Sequence, residues 1–574
     1  MTLLNFKDLG GIEGDPSPSA QWFNGGLLNY TLTPQNMTSG TTLLIPPGTF
    51  HVMGGIVSAG LQDVKIQIDG ALEFSSLVDE WPRKENGQVL ECLQFNNVKN
   101  FTVTSSLGGG THTKMGQLIG HGASWWWWPF LGYLKHHEDR PRLFRINKGS
   151  DILIKDILFL DSPYWTTKFY RVDGMEISGC GISARRTRME GHSILDLSAF
   201  NTDGFDVSGH NIHIHHCNCY AQDDCYTVKD NYDGVSSNIL FEHNNASGMA
   251  MVIGSIGGTH VKNVTFRDFV VHKTHKGIYT KFRGGTGKMT DILFEDIVME
   301  HVEQYPIWIG PAQQSDNPDL CYPNPCSLCW PDKPEAVCFP IEESAMSNIT
   351  LRNITINSPA MSLGVIMGST SNPTTNLTFT DVVVNRCGGD HIENYEETFP
   401  LLPPGRDDRF IVWGALILTG ITLAFLLIFC VVPVWCCVKR GVCKCWRKWR
   451  MAKVAFCACL FLGLCAPVIW WFEEVGNDKY DSSTYLECSG VKDAVANGKT
   501  NIVPDCFIDE TDEGAEDEWK VCLLGRYWSI YLICTLWVLL LGYCWREKKK
   551  DTEKVENDKS AQMLLSEEGE EERL

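Results

Sequence analysis

The sequence has no surplus of basic residues. Its 49 Lys and Arg face 69 Asp and Glu, which leaves a net charge of −20 over 574 residues. That balance argues against nucleic acid as a partner. Three stretches lack charge altogether: 410–438, 454–472 and 527–545. Each is long and apolar enough to cross a bilayer as a helix. No N-x-[ST] sequon occurs after residue 400, whereas eight occur before it, at Asn29, Asn36, Asn100, Asn245, Asn263, Asn348, Asn353 and Asn376. The opening MTLLNFKDLGG lacks the basic start and apolar run of a secretory leader. An outer domain as long as residues 1–409 needs help to cross a membrane, so the expectation is that the natural N-terminus lies upstream.

Charge beside the apolar runs sets their orientation. The segment KRGVCKCWRKWRMAK follows the first run, REKKK follows the third, and the loop 473–526 is acidic. Basic flanks stay cytoplasmic. The reading is therefore an extracellular or lumenal domain over 1–400, a linker over 401–409, and transmembrane helices over 410–438, 454–472 and 527–545. A basic cytoplasmic loop (439–453), an acidic extracellular loop (473–526) and a cytoplasmic tail (546–574) connect and follow them. Membrane lipid is then a partner. Ten of the 23 cysteines lie before residue 400, with a cluster at Cys321, Cys326, Cys329 and Cys338. In an oxidising compartment these read as disulfides. A zinc site is the alternative for the cluster, although it contains no histidine. Cys436, Cys437, Cys443 and Cys445 at the membrane edge are either S-palmitoylated or free thiols.

A short pattern recurs through the outer domain: DILIKDILF at 151, NIHIHHCNC at 211, NILFEHNNA at 238, NVTFRDFVV at 263, DILFEDIVM at 291, NITLRNITI at 348 and NLTFTDVVV at 376. Each starts with Asn or Asp and then alternates apolar and polar residues, as strands do. From 211 onward the starts fall 25–28 residues apart, except for one doubled gap that holds the cysteine cluster. A fixed period of this length signals a solenoid, and strand alternation makes it a parallel β-helix. The recurring Asn or Asp suits a tight turn, where it tolerates left-handed geometry. The fold class is all-β, a parallel β-helix followed by three transmembrane α-helices.

Within this repeat, NTDGFDVSG at 201–209 precedes AQDDC at 221–225 by about one coil. Stacked coils would bring Asp203 near Asp223 and Asp224. Clustered carboxylates repel, so at least one pKa should rise. Glycoside hydrolysis needs that arrangement: one protonated acid for the leaving oxygen and ionised carboxylates to activate water. A calcium site is the rival use of three acids, and a polar turn ladder is the plain structural one.

NTDGFDVSG followed by QDD resembles the signature of the polygalacturonases, family 28 of the glycoside hydrolases. LLIPPGTF at 43, GQLIGHGASWW at 116, RPRLFRINKGSDILIKDILFLDSPYWTTKF at 140 and IGSIGG at 253 resemble other family stretches, so the likeness spans roughly residues 5–390. It implies a right-handed, pectin-lyase-like parallel β-helix and inverting hydrolysis of α-1,4-galacturonosyl or related bonds in an acidic, pectin-like polysaccharide. It implies no metal and no cofactor. By the same likeness Asp223 is the general acid, Asp203 and Asp224 position and deprotonate water, and Asn201 helps hold the sugar.

The chain departs from the family pattern in two places. The family's Ser-Gly-His-Gly, whose histidine assists the acid, is matched by SGMAMVIGS, with Met249 in the histidine's place. Methionine cannot share a proton. The family's Arg-Ile-Lys, which binds substrate carboxylate, reads YTK, with Tyr279 for the arginine and Lys281 kept. Strand alternation puts Tyr279, Lys281 and Arg283 on one face, so Arg283 is expected either to supply the missing cation or to face solvent. His121 is expected to be structural. The run WWWW at 125–128 is expected to pack the core or cap a coil rather than stack sugars. A catalytically weak or inactive glycan-binding receptor on the same β-helix is the alternative function. A calcium-dependent polyuronide lyase shares the fold but fits the acids less well.

Overall fold

The computed structural model describes residues 2–385, apart from 108–115, 127–139, 186–198, 232–233, 315–320, 332, 334 and 360–362, together with the backbone of 485–487 and 501–502. The chain divides into two compact units, 1–410 with 482–507, and 411–481 with 508–574. All of the second unit lies outside the described residues, as do the three apolar runs, Cys387 and the four membrane-edge cysteines. Among the described residues no helix is long and apolar enough to cross a membrane.

The first unit is a parallel β-helix. Strands of successive coils pair in register, so residues one period apart stack. Ile212, Ile239, Val264, Ile292, Ile349 and Leu377 form one inward column. Ile214, Phe241, Phe266, Phe294, Leu351 and Phe379 form the next. The rings of Phe241, Phe266 and Phe294 lie parallel, with centroids 4.6 and 5.1 Å apart. No coil buries its apolar side alone, so stacking supplies the core.

The repeat starts do what short amides and acids do in tight turns. Asp151, Asn211, Asn238, Asn263, Asp291, Asn348 and Asn376 all take left-handed backbone, with φ between 52° and 58°. A second left-handed residue follows five positions later in every case, at Asp156, His216, His243, Asp268, Asp296, Asn353 and Asp381. Side-chain bonds run up the first column: Asn263 to Asn238 at 2.9 Å, and Asn238 to Asn211 at 3.1 Å. The doubled gap is one coil, not two. Ile292 pairs directly with Ile349, and the intervening residues form an insertion.

One expectation needs correction. The cysteines before residue 400 are not uniformly disulfides. Cys321–Cys329 and Cys326–Cys338 are bonded, whereas Cys92, Cys180, Cys217, Cys219 and Cys225 are buried thiols packed among core residues, where they act as small apolar groups. The outer domain is all-β apart from one α-helix among the described residues. A helix, Pro18–Thr31, lies against the first coils, with the Ser17 hydroxyl accepting from the Ala20 N–H and proline in its first turn. Two short segments within 473–526 extend the sheet of the outer domain: Tyr485–Glu487 and Asn501–Ile502 pair antiparallel with the strands Thr375–Asn385 and Gly364–Met367.

Trp125 and Trp126 are buried. The first packs edge-on against Trp81 at 5.1 Å, and the second donates to the Ser162 carbonyl. His121 takes left-handed backbone and bonds to Glu73.

Candidate active site

The strand Phe205–His215 begins just after Asp203, and the strand Asn218–Val228 carries Asp223 and Asp224. Consecutive strand residues ordinarily face opposite sides. Here the register breaks: Tyr220 pairs with Ser247, but Asp224 pairs with Met249, so four steps on one strand match two on the next. This bulge lets both acids reach the same side of the sheet. Gly204 permits the close approach of the coils. A Cβ there would lie 2.5 Å from the Cys225 carbonyl and 2.6 Å from the Cys219 sulfur.

Carboxylate oxygens of Asp203, Asp223 and Asp224 come within 4.8 Å of one another. All three side chains are buried, Asp223 being the most exposed at 8 %. Two ammonium groups divide them. Lys229 Nζ lies 2.7 Å from Asp203, 2.6 Å from Asp224 and 3.5 Å from Asp206. Lys281 Nζ lies 2.9 and 3.1 Å from the two oxygens of Asp224. Asp223 has no ammonium contact among the described residues. It accepts instead from Asn201 Nδ2 at 3.1 Å and from the Asp224 N–H at 2.9 Å. Arg140 donates to Asn201 Oδ1 at 3.1 Å and to the Phe200 carbonyl at 2.7 Å, which fixes the Asn201 amide.

The electrostatics follow from these contacts. Burial, then the charges of Asp203 and Asp224, hold the Asp223 carboxyl well above the usual range. Burial also raises Asp203, against the pull of Lys229. Burial would raise Asp224 as well, but Lys229 and Lys281 override it and lower its pKa. Burial drives Asp206 to about 7. The group as a whole offers one acid that keeps its proton beside one that loses it easily.

The three oxygens are close enough to share a metal ion. However, the Lys229 ammonium already bridges Asp203 and Asp224, taking the charge-neutralising role a cation would have. The donor set therefore fits an ion pair network better than a calcium site, which needs six to eight oxygens.

The remaining expected residues fall into two groups. Asn201 and Lys281 join the acids. Tyr279 joins only through its ring, whose centre lies 4.3 Å from the Lys281 ammonium, and Arg283 does not. Tyr279 is buried, its hydroxyl donating to the Gln313 carbonyl and accepting from the Gln313 N–H. Arg283 lies past the end of the strand Lys276–Phe282 and is exposed, so alternation does not carry it onto the shared face. Met249 sits beside Asp224 in register, where an assisting histidine was looked for.

Three residues escaped sequence reasoning. Lys229 follows Asp224 by only five positions, a spacing that could have flagged it. Asp206 stands within NTDGFDVSG but had no assigned role. Arg140 acts across 61 residues of sequence, which no local pattern reveals.

Comparison with known proteins agrees with this geometry. Curated relatives include a probable rhamnogalacturonase E of Aspergillus flavus, 29% identical over 236 residues, which are 39% of this chain and 47% of that one. Rhamnogalacturonase A of Emericella nidulans is 25% identical over 280 residues, 48% of this chain and 47% of that one. An endopolygalacturonase of the same organism is 29% identical over 188 residues, 32% and 46% of the two chains. The chain thus spans about half the length of the curated relatives it matches. Among solved structures, an endo-xylogalacturonan hydrolase from Aspergillus tubingensis matches with a TM-score of 0.51 at 17% identity, covering 67% of this chain and 92% of that one. That likeness establishes the fold as one resembling the pectin-lyase-like β-helix. The family profile described as Glycosyl hydrolases family 28 matches residues 37–398, more than half of the chain. With the acid trio, its two lysines and the parallel β-helix in place, the chain belongs to glycosyl hydrolase family 28.

Proposed function

We propose that this protein hydrolyses glycosidic bonds in a pectin-like polysaccharide, with Asp223 as general acid and Asp224 and Asp203 as the water-activating pair. The observation that carries the reading is the unequal environment of adjacent carboxyls: Asp223 is raised and has no ion pair among the described residues, while Asp224 is lowered by two lysines. Opposed environments assign acid and base roles. Asp223 gives its proton to the leaving oxygen as the bond from the anomeric carbon breaks. A water attacks that carbon and loses its proton to Asp224 or Asp203.

Inversion is the stereochemistry we favour. Both oxygens of Asp224 are held by ammonium groups, which makes it a weak nucleophile but leaves it able to orient water. The contact between carboxyls is tighter than the ~6.5–9.5 Å common in inverting enzymes, so the product anomer is an informative test. Relatives named rhamnogalacturonase and endopolygalacturonase support a galacturonate-containing backbone as substrate. The sequence supports a membrane-anchored, outward-facing placement through its three apolar runs.

The test is reducing-end release by the full chain from polygalacturonate and from rhamnogalacturonan, with proton NMR of the first product. The reading expects release from at least one and an inverted anomer. No release from either, by protein that folds, would end the hydrolase reading. A retained anomer would make Asp224 or Asp203 a nucleophile.

A further inference from the structure

A single outward-facing column crosses the sheet that carries the acids. It runs Arg145, Lys168, Asp206, Thr227, Val252, Tyr279, Trp308 and Val365, each paired with the next across neighbouring strands. Outward positions on such a sheet ordinarily meet solvent or ligand. The two ends of this column differ, and Asp206 and Thr227 between them are fully buried. Arg145 and Lys168 remain partly exposed. Val252, Tyr279, Trp308 and Val365 are all at most 1 % exposed.

What covers the second half is the cysteine-bonded insertion. Trp330 packs edge-on against Trp308 at 5.8 Å, and Cys326 and Cys338 join the same apolar cluster, with Met249 at its margin. Gln313 ties the cover down, bonding Tyr279 through its backbone and the Trp330 carbonyl through its side chain at 2.7 Å. Two disulfides staple the insertion. The cover begins one strand beyond Asp224, at about 4.8 Å per strand. Lys281, the cation expected to bind substrate there, is committed to Asp224.

The first half is built differently. Trp165 and Lys168 are partly exposed, and the Lys168 ammonium rests 4.2 Å from the Trp165 ring centre. Lys168 has no ion pair among the described residues, while Arg142 and Arg145 nearby share Glu91. Burial pushes the Lys168 ammonium down to about 7, against the pull of Asp206 on the next strand, so an anionic ligand over the exposed edge would be what holds its charge.

We propose that the cleft is one-sided: the stapled insertion closes it beyond Met249, and an acidic polysaccharide lies over Trp165 and Lys168 with its end at the acid trio. The protein then trims from a chain end rather than cutting in mid-chain. This inference rests on the reading of the trio as a pectin-binding site, but its test does not need turnover. Full-chain Asp223→Asn is titrated with polygalacturonates of two lengths. Binding of about one protein per polysaccharide chain at both lengths is expected. Stoichiometry that grows with length overturns the inference, and so does failure to bind either polygalacturonate. End-binding with no cleavage by the unmodified protein would sink the hydrolase reading and leave the one-sided cleft standing. In the same assay Lys168→Met should weaken binding about tenfold, with Lys168→Arg restoring most of it. Undiminished binding by a folded Lys168→Met removes Lys168 from the site.

Discussion

Replacing Asp206 with asparagine isolates one buried charge from the rest of the site. Asp206 is fully buried, neither of its oxygens has a hydrogen-bond partner among the described residues, and Lys229, 3.5 Å away, is shared with Asp203 and Asp224, while Lys168 sits on the neighbouring strand. Burial, the largest cause, raises its pKa from the ordinary 3.8 to about 7. At 1.36 kcal/mol per pH unit that rise is worth about 4 kcal/mol. The sign follows from proton linkage. Below pH ~4 both folded and unfolded states hold the proton, and the charge costs nothing. Between about 4 and 7 the unfolded chain releases the proton while the folded one retains it, so stability falls as pH rises. The Asp206→Asn variant carries no such dependence. The difference in unfolding free energy between the two proteins should be flat below pH ~4. It should then shift in favour of the variant by up to ~4 kcal/mol as pH approaches 7. Denaturant titrations of the full chain, followed by tryptophan fluorescence from pH 3.5 to 8, measure this. A difference that stays constant over the whole range would refute the buried, proton-holding Asp206.

Other perturbations test separate parts of the account. Lys229→Met leaves Asp203 and Asp206 without their closest cation and Asp224 with Lys281 alone. It should cost about 3–5 kcal/mol of stability and lower kcat by about 10²–10⁴, with Lys229→Arg recovering part of both; an unchanged kcat would remove Lys229 from the machinery. Met249→His restores an imidazole beside Asp224 and should raise kcat by up to about 10², measured by reducing-end release; no gain would show that this position does not limit the acid. Phe266→Ala removes the middle ring of a three-ring stack and should destabilise the β-helix by about 3–5 kcal/mol, read from the denaturation midpoint; a cost under about 1 kcal/mol would deny that the stacked column carries the core.

Much of the fold was legible because a solenoid writes itself as a period. Seven Asn or Asp starts marked the left-handed turns, and the alternation after them marked the inward columns. The five-residue echo of each start was present as well, but His216 and His243 occupy it in two coils and blur the pattern. The acid trio was legible because one coil separates its members in sequence. Its lysines were legible only in part. Lys281 read as a substrate contact, yet in space it neutralises Asp224, because a bulge turns Asp224 toward it. Tyr279 read as a groove residue, yet it is sealed under the insertion around Trp330. Alternation tells which face a residue takes, but not what folds over that face. The five core thiols misled for a related reason: compartment decides whether cysteines oxidise, and packing decides whether they meet.

The most direct test of the central claim is the effect of Asp223→Asn on turnover and binding in the same protein. Asparagine keeps the shape and the contact to Asn201 but cannot donate the acid's proton. The account predicts reducing-end release from polygalacturonate or rhamnogalacturonan that falls by at least about 10², with polysaccharide binding retained. Turnover by Asp223→Asn within a few fold of the unmodified protein would contradict it, and the acid would have to be sought elsewhere.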